Sequence, residues 1–148
     1  MMTTSDLPKE RDVAYCVHLH LETTAFAEPH LYKADHAVYK VEGKSRPMLV
    51  LGELSKRKRG KRWFHVIPIT SKGKAEDGRR KPNCYSIGQL PGCETESYLV
   101  VDDVRLLPDN MVHQHNGKPK IVHQLDRLEF MNFVKITEHH QMRRKTTE

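Results

Sequence analysis

Between residues 35 and 108 the apolar positions fall in short runs separated by polar stretches rich in Gly and Pro, the pattern of strands and turns. Ala37-Val38-Tyr39-Lys40-Val41 reads as a short strand, ended by a turn at Glu42-Gly43-Lys44-Ser45. Pro47 then opens Met48-Leu49-Val50-Leu51, a continuous apolar run that implies a strand covered on both faces, with Pro in its first position. Trp63 to Thr70 predicts the next strand, Ser71 to Asn83 a long polar loop, and Ser97 to Val101 a further strand. Val104 to Leu107 forms a last short one, stopped by Pro108. Short strands at this spacing imply a small barrel or sandwich.

The two ends differ from this centre. Residues 1–34 carry Pro8 and Pro29 with no helical stripe and read as an extension, although the alternation from Val13 to Leu21 would allow an added strand. Asn116-Gly117-Lys118-Pro119 is a turn, and Pro119 is placed to start a helix. Leu125, Leu128, Met131 and Val134 recur at three-residue spacing, widened by Phe130 and Phe133, which predicts an amphipathic helix of about four turns. The expected organisation is an extension over 1–34, one domain over 35–138 and a polar, frayed tail over 139–148. The segment 109–119 exceeds what a minimal barrel needs.

Charge narrows the function. With 25 Lys+Arg against 19 Asp+Glu the chain carries +6, a balance that favours polyanionic partners. The excess is clustered: Lys56-Arg57-Lys58-Arg59-Gly60-Lys61-Arg62, then Arg79-Arg80-Lys81, then Arg143-Arg144-Lys145. Such clusters neutralise phosphates without reading sequence, or simply solvate a loop tip. Three cysteines (Cys16, Cys84, Cys93) without a CxxC argue against a disulfide scaffold or a zinc ribbon, and read as core or loop residues. The pairs His18/His20 and His113/His115 lack further ligands at zinc spacing, so no metal and no cofactor are expected. No apolar run approaches a membrane span, and the first residues lack an apolar signal core, so the expected location is the cytoplasm. GxGxxG, Walker lysine and GxSxG motifs are absent from the sequence, which removes the support for dinucleotide enzymes, ATPases and α/β-hydrolases.

One constellation carries chemistry. Arg46-Pro47, Pro68-Ile69-Thr70-Ser71 and Asp102-Asp103-Val104-Arg105 each stand at a strand edge, where a scaffold presents side chains to a ligand. Arg46 offers a planar fork to phosphate oxygens, the Thr70 and Ser71 hydroxyls can bond a phosphate or a base, and Asp102 can accept a proton. Together they would suit cleavage of RNA by attack of the 2′-hydroxyl on its own phosphate. Taken singly they read as a turn arginine, a strand end and a salt-bridged Asp/Arg pair.

In order, Arg46-Pro47-Met48-Leu49-Val50-Leu51, Val66-Ile67-Pro68-Ile69-Thr70-Ser71-Lys72-Gly73 and Tyr98-Leu99-Val100-Val101-Asp102-Asp103-Val104-Arg105-Leu106-Leu107 resemble the MazF/PemK toxin family. The similar stretch runs from Asp35 to Pro108, roughly half the chain. The resemblance implies a mainly β, SH3-like barrel with a C-terminal helix, and a homodimer restrained by a cognate acidic antitoxin. It implies a metal-independent endoribonuclease of the toxin–antitoxin type, cutting single-stranded RNA to leave a 2′,3′-cyclic phosphate. Arg46, Thr70 and Asp102 match the catalytic positions, with Asp102 as base. Ser71, Lys72, His65 and the basic run Lys56, Arg57, Lys58, Arg59, Lys61 and Arg62 are the expected RNA contacts. Three positions depart from the family pattern: the segment Glu42 to Ser45 is short, Val100 stands where a second Arg is used, and Asp103 stands where Gln is common. These departures keep two other readings open, a nucleic-acid-binding barrel without catalysis and a module that binds a protein partner.

Overall fold

In the computed structural model the described residues are 7–19 and 43–147. They form nine strands, a 3-10 turn and one helix: β1 (Asp12–Leu19), β2 (Gly43–Glu53), β3 (Trp63–Thr70), β4 (Cys84–Gly88), β5 (Ser97–Val100), β6 (Arg105–Pro108), the turn Asp109–Met111, β7 (Gln114–His115), β8 (Lys118–Pro119), β9 (Ile121–Gln124) and α1 (Arg127–Thr147). The protein is mainly β. Seven strands make one antiparallel sheet in the order β4-β5-β3-β2-β1-β9, and β6 pairs with β3 beside β5. Among the described residues pairing does not run from β4 to β9, so the sheet they form is not closed into a barrel.

The run Met48-Leu49-Val50 lies at the centre of that sheet, each residue fully buried, as a continuous apolar run requires. Side chains alternate between the faces. On one face Val13, Leu49, Ile67, Ile69, Leu99 and Val101 pack with Leu125 and with Phe130 and Phe133 of α1. On the other, Ala14, Cys16, Met48, Val50, Phe64 and Val66 pack with Leu7, Leu107 and Val112. A bulge between Val50 and Gly52 bends β2 and lets Gly52 and Glu53 pair with His65 and Phe64. The far edge of β3 is divided: Trp63 to Val66 pair with β6, and Ile69 and Thr70 with β5.

Several elements differ from the sequence reading. Asp12–Leu19, within the expected extension, is an internal strand paired with β2 along Val13↔Leu49 to Leu19↔Gly43 and with β9 on its other side. Its place is favoured by Val13, Ala14 and Cys16, all fully buried. Of the expected turn at 42–45, Gly43, Lys44 and Ser45 belong to β2, because β1 supplies them with partners. Pro47 is therefore inside β2, at the point where pairing with β3 begins at Met48. The strand expected at 37–41 lies outside the described residues.

The helix also differs. Pro119 does not start it: Asn116 and Gly117 take φ values of 54° and 77°, the type I′ geometry that closes the β7–β8 hairpin. Asp126 caps the helix instead, its Oδ2 accepting from the Leu128 N–H at 3.1 Å. A strict three-residue repeat falls back about 60° per step on a helix, so it cannot hold one face. Phe130, Phe133 and Thr137 are buried, whereas Leu128 is 73% and Met131 50% exposed. The helix continues to Thr147, past the expected frayed start at 139, since Gln, Met, Arg and Lys are good helix formers whatever their polarity.

Candidate nucleic-acid interface

Strand register brings part of the sequence constellation together. Cys16 pairs with Arg46 across β1 and β2, and Thr70 with Tyr98 across β3 and β5. The β2–β3 register, Met48↔Pro68, continued by two residues sets Arg46 level with Thr70. Tyr98 in turn faces Ser86 of β4. By alternation this row lies on the sheet face opposite α1. Arg46 is half-buried, and its Nε is buried without a hydrogen-bond partner. An unpartnered guanidinium nitrogen carries a desolvation cost that an anion would relieve.

Beyond Thr70 the chain folds back over β5. Thr70 Oγ1 accepts from the Lys72 N–H at 3.0 Å, which sets the turn and leaves the hydroxyl proton available. Gly73 then lies flat on the Tyr98 ring: a Cβ there would come within 2.5 Å of Tyr98 Cγ, Cδ1 and Cδ2. The Gly73 carbonyl is held by the Lys81 N–H at 2.8 Å. Between this loop and β5 runs an open groove of about 450 Å³ lined by Ser71, Lys72, Lys74, Lys81, Thr95, Glu96 and Tyr98. The Glu96 carboxylate accepts hydrogen bonds from Ser86 Oγ and, at 2.7 Å, from Tyr98 Oη. Those bonds, Ser86 first, and the nearby Lys74 hold its carboxyl below the usual carboxylate range. The same bond pushes the Tyr98 hydroxyl up.

Asp102 lies past the end of β5, in the turn closed by the Asp103 N–H to the Val100 carbonyl, and its Oδ1 accepts from Asn83 Nδ2 at 3.1 Å. Asp103 and Arg105 form the ion pair anticipated as the plain structural alternative, at 3.1 Å. The basic run is separate. Lys58 and Lys61 exchange backbone hydrogen bonds around Arg59 and Gly60, whose φ values of 55° and 73° make a type I′ hairpin. Trp63 Nε1 braces it by donating to the Lys58 carbonyl at 2.9 Å. Arg62 points back to Glu53 in a two-pronged ion pair that raises its pKa further, so Lys56, Arg57, Lys58, Arg59 and Lys61 are the cations presented outward. His65 lies at this end too, beside a hollow of about 190 Å³. This tip is at the opposite end of β3 from Thr70, seven residues or about 23 Å away.

The structure therefore sets Arg46 level with Thr70, leads from Thr70 into Ser71 and Lys72 at the groove, and leaves the hairpin at the other end of β3, while Asp102 lies past the end of β5. It adds Lys74, Lys81, Ser86, Thr95, Glu96 and Tyr98. No single motif announces these residues; the local signals are the Ser71-Lys72-Gly73-Lys74 turn directly after a strand and, for Lys81, the basic cluster at 79–81. The cluster Arg79-Arg80-Lys81 splits three ways. Lys81 lines the groove, Arg80 stacks 4.2 Å over the Tyr85 ring, and Arg79 stays exposed beside Asp77. Arg143-Arg144-Lys145, both His18 and His20, and His115 have side chains outside the described set. Among the described residues no three His, Cys, Asp or Glu side chains cluster as a metal site needs, and no helix is long and apolar enough to cross a membrane. Set against known proteins, the chain matches no family model, and no curated protein matches it in sequence.

Proposed function

We propose that this protein binds single-stranded RNA along the Arg46–Thr70–Tyr98 row and cleaves it without metal, in the manner of MazF/PemK toxins. The observation that carries the reading is the β2–β3 register, which run on two residues from Met48↔Pro68 levels Arg46 with Thr70, beside a groove with three lysines. In this reading Arg46 and Thr70 hold the scissile phosphate, and Lys72, Lys74 and Lys81 neutralise its neighbours. Attack by the 2′-hydroxyl leaves a 2′,3′-cyclic phosphate and a free 5′-hydroxyl, and needs no cofactor. The proposal extends to the family's fold, with the sheet around β3 as an SH3-like arrangement. It extends also to a homodimer, to a cognate acidic antitoxin that occupies the RNA surface, and to action in the cytoplasm.

The test is incubation of the wild type and of Arg46→Ala with a long single-stranded RNA in EDTA, with fragment ends mapped. Discrete cuts with cyclic phosphates, reduced about 10²–10³-fold in the variant, support the reading. The hydrogen bond of Asp102 to Asn83, a residue outside the row, favours a second reading, a binding protein without catalysis. Salt-sensitive binding with no cutting would select it. Neither binding nor cutting would leave the protein-interaction reading.

A further inference from the structure

We infer that Glu96, rather than Asp102, is the general base of the proposed cleavage. This rests on the RNA-cleaving reading above and identifies the proton acceptor within it. A base must stand within hydrogen-bond reach of the hydroxyl it activates. Asp102 is four residues past the row and is engaged by Asn83. Glu96 is a carboxylate lining the groove itself, among Lys72, Lys74 and Lys81, the cations that would bring a phosphodiester there.

Its hydrogen bonds orient it without using it up. Ser86 Oγ donates to Oε1 and Tyr98 Oη to Oε2. An ionised carboxylate has about four lone-pair sites, so each oxygen keeps one for an incoming hydroxyl. Both donors come from strands paired in register, Ser86↔Tyr98, so the carboxylate is fixed by the sheet although it stands in solvent. The charged and titratable groups around it are Lys74, Lys72 and Lys81 from the β3–β4 loop and Tyr98 from β5. They favour the ionised form, the one able to accept a proton.

In the step, the 2′-O–H bond breaks and its proton passes to Glu96. The 2′-oxygen forms a bond to phosphorus as the P–O5′ bond breaks, and the leaving 5′-oxygen takes a proton from water, which the open groove admits. Glu96 then returns its proton to solvent, so charge and atoms balance and no co-reactant is consumed.

The test compares wild type, Glu96→Gln and Asp102→Asn on the same single-stranded RNA, measuring cleavage rate at saturating RNA, RNA affinity, and rate against pH. Gln keeps the size and the acceptor for Tyr98 but has no basic carboxylate. The expected result is a loss of about 10²–10⁴-fold in rate for Glu96→Gln with affinity kept, and a far smaller effect for Asp102→Asn. The acid limb of the wild-type profile falls below the ordinary carboxylate range, moves up in Tyr98→Phe, and vanishes in Glu96→Gln. A wild type that cuts and a Glu96→Gln variant that cuts within a few-fold of it would overturn the assignment while leaving the RNA-cleaving reading intact. A wild type that binds RNA but does not cut would overturn both.

Discussion

Replacing Gly73 by Ala tests how the groove is built. The added Cβ would sit within 2.5 Å of three Tyr98 ring atoms, and the loop cannot simply lift because Lys81 holds the Gly73 carbonyl. Tyr98 is 4% exposed and cannot swing out without losing its bond to Glu96. Overpacking of this kind costs about 1–3 kcal/mol, and a methyl driven onto a buried ring should cost about 2. Urea unfolding followed by Trp63, the one tryptophan, reads that as a midpoint lowered by about 1 M if m is near 2 kcal/mol/M. The decisive comparison is a double-mutant cycle. Tyr98→Ala removes the atoms that clash and costs about 3–5 kcal/mol by itself, the range for burying no aromatic where one stood. Adding Gly73→Ala to it should then cost close to nothing, giving a coupling of about 2 kcal/mol. Equal costs of Gly73→Ala in both backgrounds, or no cost in either, would refute the packing described here.

Two further outcomes follow from the hairpin and the thiols. Changing Lys56, Lys58 and Lys61 together to Ala should weaken RNA binding and lower the log–log salt slope by about 2, at roughly 0.7 per contact on a single strand, without changing the cleavage rate at saturating RNA. An unchanged slope would show that the hairpin does not touch RNA. Burial pushes the Cys16 thiol up to about 12 and raises that of Cys84, so in the native protein half-buried Cys93 should react first with a thiol reagent. Because the folded state keeps the Cys16 proton that the unfolded chain releases near 9.0, the Cys16 contribution to stability is constant below that pH and declines above it. Denaturation midpoints compared in wild type and Cys16→Ala across that range give the check.

The sequence by itself determined the elements whose periodicity has one reading. The apolar run at Met48 to Val50 demanded cover on both faces and has it. Trp63 to Thr70 is a strand within the residues expected, and Asn116-Gly117 is a turn because few residues other than Asn and Gly tolerate two successive positive φ values. Arg46 and Thr70 were found as candidates because each stands at the edge of an expected strand with a side chain suited to a phosphate. What followed from pairing between distant segments was decided only by the tertiary structure. Asp12–Leu19 has a strand pattern, but only β2 and β9 on either side make it internal rather than an extension. The face of α1 was misplaced because a three-residue repeat drifts round a helix, and only the sheet it packs on selects Phe130, Phe133 and Thr137. Glu96 and Lys74 carry no motif, and Lys81 only its place in the basic cluster at 79–81. They meet because β4 and β5 pair in register and because Gly73 alone lets the loop lie on Tyr98. Local backbone preferences are written in neighbouring residues and can be read from them. A groove is made by residues far apart in the chain, and its geometry exists only once register and packing have brought them together.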